Sequence, residues 1–79
     1  MLFDYSFLRG RIVERYGTNK NFALAIGMNP VTLSLKLQNR IGFKQSEILV
    51  MSRFLNFSPT EVMRAFFEES EGGVPFGGR

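Results

Sequence analysis

The sequence predicts an all-α domain, a compact bundle of five short helices, and three observations carry that expectation. Ala23, Gly27 and Leu33 stand where two closely crossing helices and a tight turn would need them. The crossing requires a side chain no larger than Ala, the turn a residue that takes positive φ cheaply, and the second helix an apolar anchor. Asn29-Pro30 and Ser58-Pro59 each read as a helix N-cap followed by proline at the first helical position. The helical segments are joined by short connections with no internal repeat, as a small helical bundle requires. One observation opposes these. Val31-Thr32-Leu33-Ser34-Leu35-Lys36-Leu37 alternates apolar and polar with a period of two, which is a strand signal.

Taken in order, Asp4 can cap a first helix that reaches about Tyr16, with Leu8, Ile12 and Tyr16 on one face and Phe7 beside them. Arg15 suits the dipole at its end, and Gly17 is a natural stop. Thr18 caps a second helix from about Asn19 to Ile26, in which Phe22, Ala23 and Ile26 face inward. Gly27-Met28 turns the chain. Asn29-Pro30 then starts a third helix that runs out at Asn39, and this pair decides against the strand, which has no use for it and no partner within a hairpin's reach. Arg40 to Phe43 is a loop containing Gly42. A fourth helix covers about Lys44 to Leu55, with Ile48, Met51, Phe54 and Leu55 on one arc. Ser58-Pro59-Thr60-Glu61 combines a cap, a proline and an acid at the third position, a capping box for a fifth helix from Pro59 to about Glu68. Residues 1–69 are thus expected to form one helix-turn-helix domain, and residues 70–79, rich in glycine, a disordered tail.

Composition narrows the chemistry. The 79 residues contain no Cys and no His, so disulfides, thiolate metal sites and the usual general base near neutral pH are excluded. Nine Phe and a 44% apolar content supply the core instead. No apolar run reaches the roughly 20 residues of a membrane helix, and the N-terminus lacks the pattern of a signal peptide. A soluble, cytoplasmic protein is expected. Residues 1–67 hold nine Lys and Arg against Asp4, Glu14, Glu47 and Glu61, a surplus of five positive charges that suits a polyanion. Glu14, Glu47 and Glu61 stand beside nothing that would make them catalytic, so they read as surface or capping residues and no enzyme or cofactor is expected.

Thr18 to Leu37 resembles the helix-turn-helix of Cro and repressor proteins of temperate phages, the xenobiotic-response-element-like superfamily. The blocks Phe3-Asp4-Tyr5-Ser6, Leu8-Arg9-Gly10-Arg11-Ile12-Val13-Glu14, Leu33-Ser34-Leu35-Lys36-Leu37 and Lys44-Gln45-Ser46-Glu47-Ile48 are similar to a narrower set of short regulators from Gram-positive phages and prophages. The resemblance implies a five-helix domain of the phage repressor type, operator binding in the bacterial cytoplasm and no cofactor. One position departs from the pattern. Where a buried aliphatic is wanted, the chain has Lys36: either the helix is rotated slightly, or Lys36 buries its stem and extends its charge outward.

Two functions follow. In the first, the protein is a Cro-like transcriptional regulator that binds operator DNA as a homodimer. The resemblance then puts Val31, Thr32, Ser34 and Leu35 against base edges in the major groove. Asn19, Lys20, Lys36, Arg40, Lys44, Gln45 and Ser46 would contact phosphates on either side. That reading face is poor in strong readers, having no Arg for guanine and no mid-helix Asn or Gln for adenine. In the second, an antirepressor-type modulator keeps the fold but binds a partner repressor, and the apolar Val31, Leu35 and Leu49 favour it. Leu49, Val50, Met63 and Phe67 are surplus to a small core and are expected at a protein interface.

Overall fold

The computed structural model describes residues 2–70, and the expected tail falls almost entirely outside them. Five helices follow one another: α1 (Ser6–Tyr16), α2 (Asn19–Ala25), α3 (Pro30–Leu37), α4 (Gln45–Phe54) and α5 (Pro59–Phe66). The alternating stretch is helical, as its capping pair requires. Asn29 is extended, and its side-chain Oδ1 accepts the Val31 N–H at 2.8 Å. Thr18 and Ser58 cap α2 and α5 in the same way, accepting the N–H groups of Asn21 and Glu61. Glu61 reaches back to the Ser58 N–H at 2.9 Å, which completes the capping box. At α4, Glu47 makes only the backward half of that arrangement, accepting the Lys44 N–H at 2.8 Å. Asp4 acts one residue earlier than expected: it accepts both the N–H and the hydroxyl of Ser6, while Tyr5 is the flanking residue.

Three helices end in the same motif. Gly27 (φ 75°), Asn39 (φ 64°) and Asn56 (φ 57°) take the left-handed conformation. The following amide then bonds back to an orphan carbonyl: Met28 to Ala23 at 2.8 Å, Arg40 to Leu35 at 2.9 Å and Phe57 to Ser52 at 2.9 Å. Gly27 does so at no steric cost, whereas the two Asn residues accept some strain. Asn39 has a second use. Its amide donates to the Phe3 carbonyl and accepts the Phe3 N–H, both at 2.9 Å. On the other side of the same segment, Asp4 N–H bonds to Glu68 at 2.7 Å, and Phe3 and Glu69 form an isolated antiparallel bridge. The start of the chain is therefore held between the end of α3 and the chain leaving α5. Among the described residues no strand forms.

The core lies where the helices meet. Leu8, Ile12, Phe22, Ala23, Leu33, Met51, Leu55 and Ala65 are fully buried, with Tyr5, Leu37 and Phe66 nearly so. Ala23 carries out the role its size implied, lying buried where α2 meets its neighbours. A run of aromatic contacts ties the elements together: Tyr5 meets Phe43 edge-on at 5.2 Å, Phe43 meets Phe66 at 5.3 Å, and Phe57 stacks on Phe7 at 5.7 Å. Arg11 joins α1 to α5, pairing with Glu61 at 2.9 Å with its guanidinium 5.3 Å from the ring centres of both Phe7 and Phe57. Phe54 is a correction to the expected arc of α4. It is 45% exposed, and the buried stripe runs instead through Ile48, Met51, Ser52 and Leu55, spaced i, i+3, i+4, i+7.

Candidate functional site

Two surfaces bear on function. The first is the outer side of α2 and α3. Val31, one residue past Pro30, is 67% exposed, while Thr32, Ser34 and Leu35 are only half exposed. The Ser34 hydroxyl accepts the Gln38 side-chain amide at 2.9 Å, one turn along, so part of its capacity is already used within the helix. Lys20, Arg40, Lys44, Gln45 and Ser46, the other residues expected at phosphates, are exposed. Asn19 is half buried, and its side-chain oxygen is enclosed with no hydrogen-bond partner among the described residues.

Lys36 requires a correction. It was expected among the phosphate contacts, yet it is 4% exposed. Its Nζ pairs with Glu47 Oε1 at 3.0 Å and donates to the Gly42 carbonyl at 2.8 Å, 5.9 Å from the Phe43 ring centre. The charge points into the junction of α3, the following loop and the start of α4. Of the two readings left open for this residue, neither is met in full: the stem is buried and so is the ammonium. For Glu47, burial pushes the carboxyl up. The hydrogen bonds from the Lys44 N–H and the Lys36 ammonium, with the charges of Lys36 and Lys44, outweigh that and hold it below its ordinary value of 4.5. The pair locks α3 to α4; it does not present a cation to a ligand.

The second surface lies between α4 and α5. A groove of about 640 Å³ opens there, lined by Leu49, Ser52 and Arg53 on α4, Asn56 and Phe57 in the turn, and Pro59, Val62 and Met63 on α5. Leu49 is 52% and Met63 59% exposed, and they face the same groove. Val50 and Phe67 are exposed too, but they belong elsewhere. Val50 borders a hollow beside Gly27 and Met28, and Phe67 one lined by Phe3, Tyr5 and Phe43. The four residues expected at one interface therefore divide among three places. Exposed Val13 and Leu24 were not singled out in the sequence, because a lone apolar residue on a helix carries no signal of its exposure. Among the described residues no cluster of acidic side chains could hold a metal ion, and no helix is long and apolar enough to cross a membrane.

The chain is similar to a solved structure, the solution structure of the modulator of repression (MOR) of the temperate bacteriophage TP901-1 from Lactococcus lactis. The two share 42% identity over 85% of this chain and 90% of that one, with a TM-score of 0.73. No curated protein matches. The similarity overturns the expectation of a Cro-like protein that inserts α3 into an operator, since the matched protein is a modulator of repression. It agrees with the alternative drawn from the same residues, a protein that modulates a repressor. Residues 1–69 match the family described as "Protein of unknown function (DUF739)", and the chain belongs to that family.

Proposed function

We propose that this protein is a modulator of repression in a temperate phage or prophage: it binds a repressor protein and weakens that repressor's hold on its operator. The observation that carries the reading is the 42% identity, spread over most of both chains, with the modulator of repression of TP901-1. The surface chemistry supports it. The α2–α3 unit is a helix-turn-helix scaffold of the Cro and repressor type whose expected DNA-reading side chains are weak readers, half buried or engaged internally. Its most exposed member, Val31, is apolar. A surface of that kind is a poor reader of base edges. The protein acts as a single helical domain in the bacterial cytoplasm, by binding alone, without catalysis or a cofactor.

The test uses the repressor encoded in the same phage or prophage, purified at full length. Size-exclusion chromatography with light scattering should show the two proteins co-eluting at the summed mass. Independent elution at micromolar concentrations of both would reject the reading.

A further inference from the structure

Resting on the reading of the chain as a repressor-binding modulator, we propose that the groove between α4 and α5 is where the repressor docks. We further propose that its occupant is an amphipathic helix presenting an apolar stripe and an acidic residue. Leu49 and Met63 stand on opposite walls of this groove, each more than half exposed, and Phe57, Pro59 and Val62 form apolar lining between them. Ser52, on the buried stripe of α4, is among the residues that line the groove. The Ser52 hydroxyl is buried and makes no hydrogen bond in the structure.

Charge selects the occupant. Arg53 lines the groove, is exposed and forms no ion pair among the described residues. No acidic residue lines the groove with it. Glu61, on the first turn of α5, is already bound to Arg11 at 2.9 Å. The surface thus offers apolar walls and one uncompensated cation, whose complement is apolar with an anion. In a symmetric contact, groove to groove, a second copy of this chain would bring a further Arg53 and no acidic lining residue. The walls are helices whose backbone groups are satisfied internally, so there is no free edge for an added strand, and recognition falls to side chains. From Leu49 to Arg53 the α4 wall spans about 6 Å, about one turn, which matches a helix that inserts side chains at i and i+3 or i+4.

The experiment is calorimetric titration of the full chain with the purified repressor from the same phage or prophage. The wild type is compared with Leu49→Asp, Met63→Asp, Arg53→Glu and, on α3, Val31→Asp. All four positions are solvent-exposed, and circular dichroism verifies that each variant is folded. Leu49→Asp and Met63→Asp should each weaken binding by at least about tenfold, as loss of a central apolar anchor does. Arg53→Glu should weaken it by about tenfold and reduce its dependence on salt. Val31→Asp should stay within about threefold. If the wild type binds and the groove variants bind equally well, the groove is not the docking site, although the functional reading stands. If the wild type fails to bind at all, the functional reading itself falls. If light scattering shows a wild-type dimer that Met63→Asp dissolves, the groove belongs to a second copy and the proposal is overturned.

Discussion

The outer side of α2 and α3 and the groove between α4 and α5 use the same materials in opposite ways. On the first, two of the polar groups expected to meet a ligand are engaged within the fold, while Lys20 and Arg40 stay exposed. Lys36 is consumed by Glu47 and Gly42, and Ser34 accepts a bond from Gln38. On the second, apolar and charged groups remain unengaged, with Leu49 and Met63 exposed and Arg53 unpaired among the described residues. The difference teaches that a resemblance to a helix-turn-helix does not by itself assign the function. What matters is which side chains the fold leaves available, and here those are suited to a protein partner.

The comparison is broken most sharply at Lys36. Replacing it with Ala leaves Glu47 in the junction without its ion-pair partner, so stability should fall by about 3 kcal/mol in urea denaturation. The double variant Lys36→Met, Glu47→Gln should recover most of that loss. A cost for Lys36→Ala below about 0.5 kcal/mol would be that of an exposed cation and would return Lys36 to the surface. The next largest effect separates two residues that share the left-handed conformation. Asn39→Gly keeps the left-handed turn but removes two hydrogen bonds to Phe3, at about 1 kcal/mol each. Asn56→Gly keeps its turn and loses no side-chain hydrogen bond that the structure shows, so it should lie within about 0.5 kcal/mol of wild type. Equal effects at both sites would remove the clamp on the start of the chain.

A smaller effect concerns pH. Glu47 and Glu61 are both held below 4.5. At Glu47 burial opposes the hydrogen bonds and positive charges that prevail; at Glu61 the Ser58 N–H and Arg11 are the main causes. A carboxyl with a depressed folded value contributes stability that is complete above its unfolded value and is lost as pH falls through the folded one. The melting temperature should therefore hold near neutral pH and decline below about 4.5, with a shallower acid slope in Glu47→Gln. An unchanged slope would detach Glu47 from the acid transition. The smallest effect is at Val31, where Asp should change stability by less than about 0.5 kcal/mol, because the side chain is already two-thirds exposed.

Much of the fold was legible because its signals are local. Thr18, Asn29-Pro30 and Ser58-Pro59 name helix starts by chemistry that needs no tertiary context, and Gly17 and Gly27 name the turns. The burial of Ala23, Leu33, Leu8 and Ile12 follows from helical spacing alone. Asn39 and Asn56 were not legible as left-handed stops, since Asn takes that conformation less freely than Gly and is common elsewhere. Ser52 and the burial of the Lys36 ammonium were missed for a related reason. A wheel ranks positions by apolar character, and these polar residues occupy buried positions: Lys36 is held there by an ion pair from across the fold, and Ser52 lines the groove. Phe54 is the converse, an apolar residue just off the buried stripe. The surplus of Leu49 and Met63 could be read from sequence, but not that they share a groove while Val50 and Phe67 lie apart from it.

The central claim is that this chain acts on a repressor instead of on the operator. Fluorescence anisotropy of labelled operator DNA, at about 50 mM salt where phosphate contacts are strongest, tests it directly. The account predicts no anisotropy change when the chain alone is added. It predicts a high signal with the repressor and a fall toward the free-DNA value as the chain is titrated into that complex. A saturable rise with the chain alone, abolished in a Lys20, Arg40 and Lys44 triple Ala variant, would contradict it.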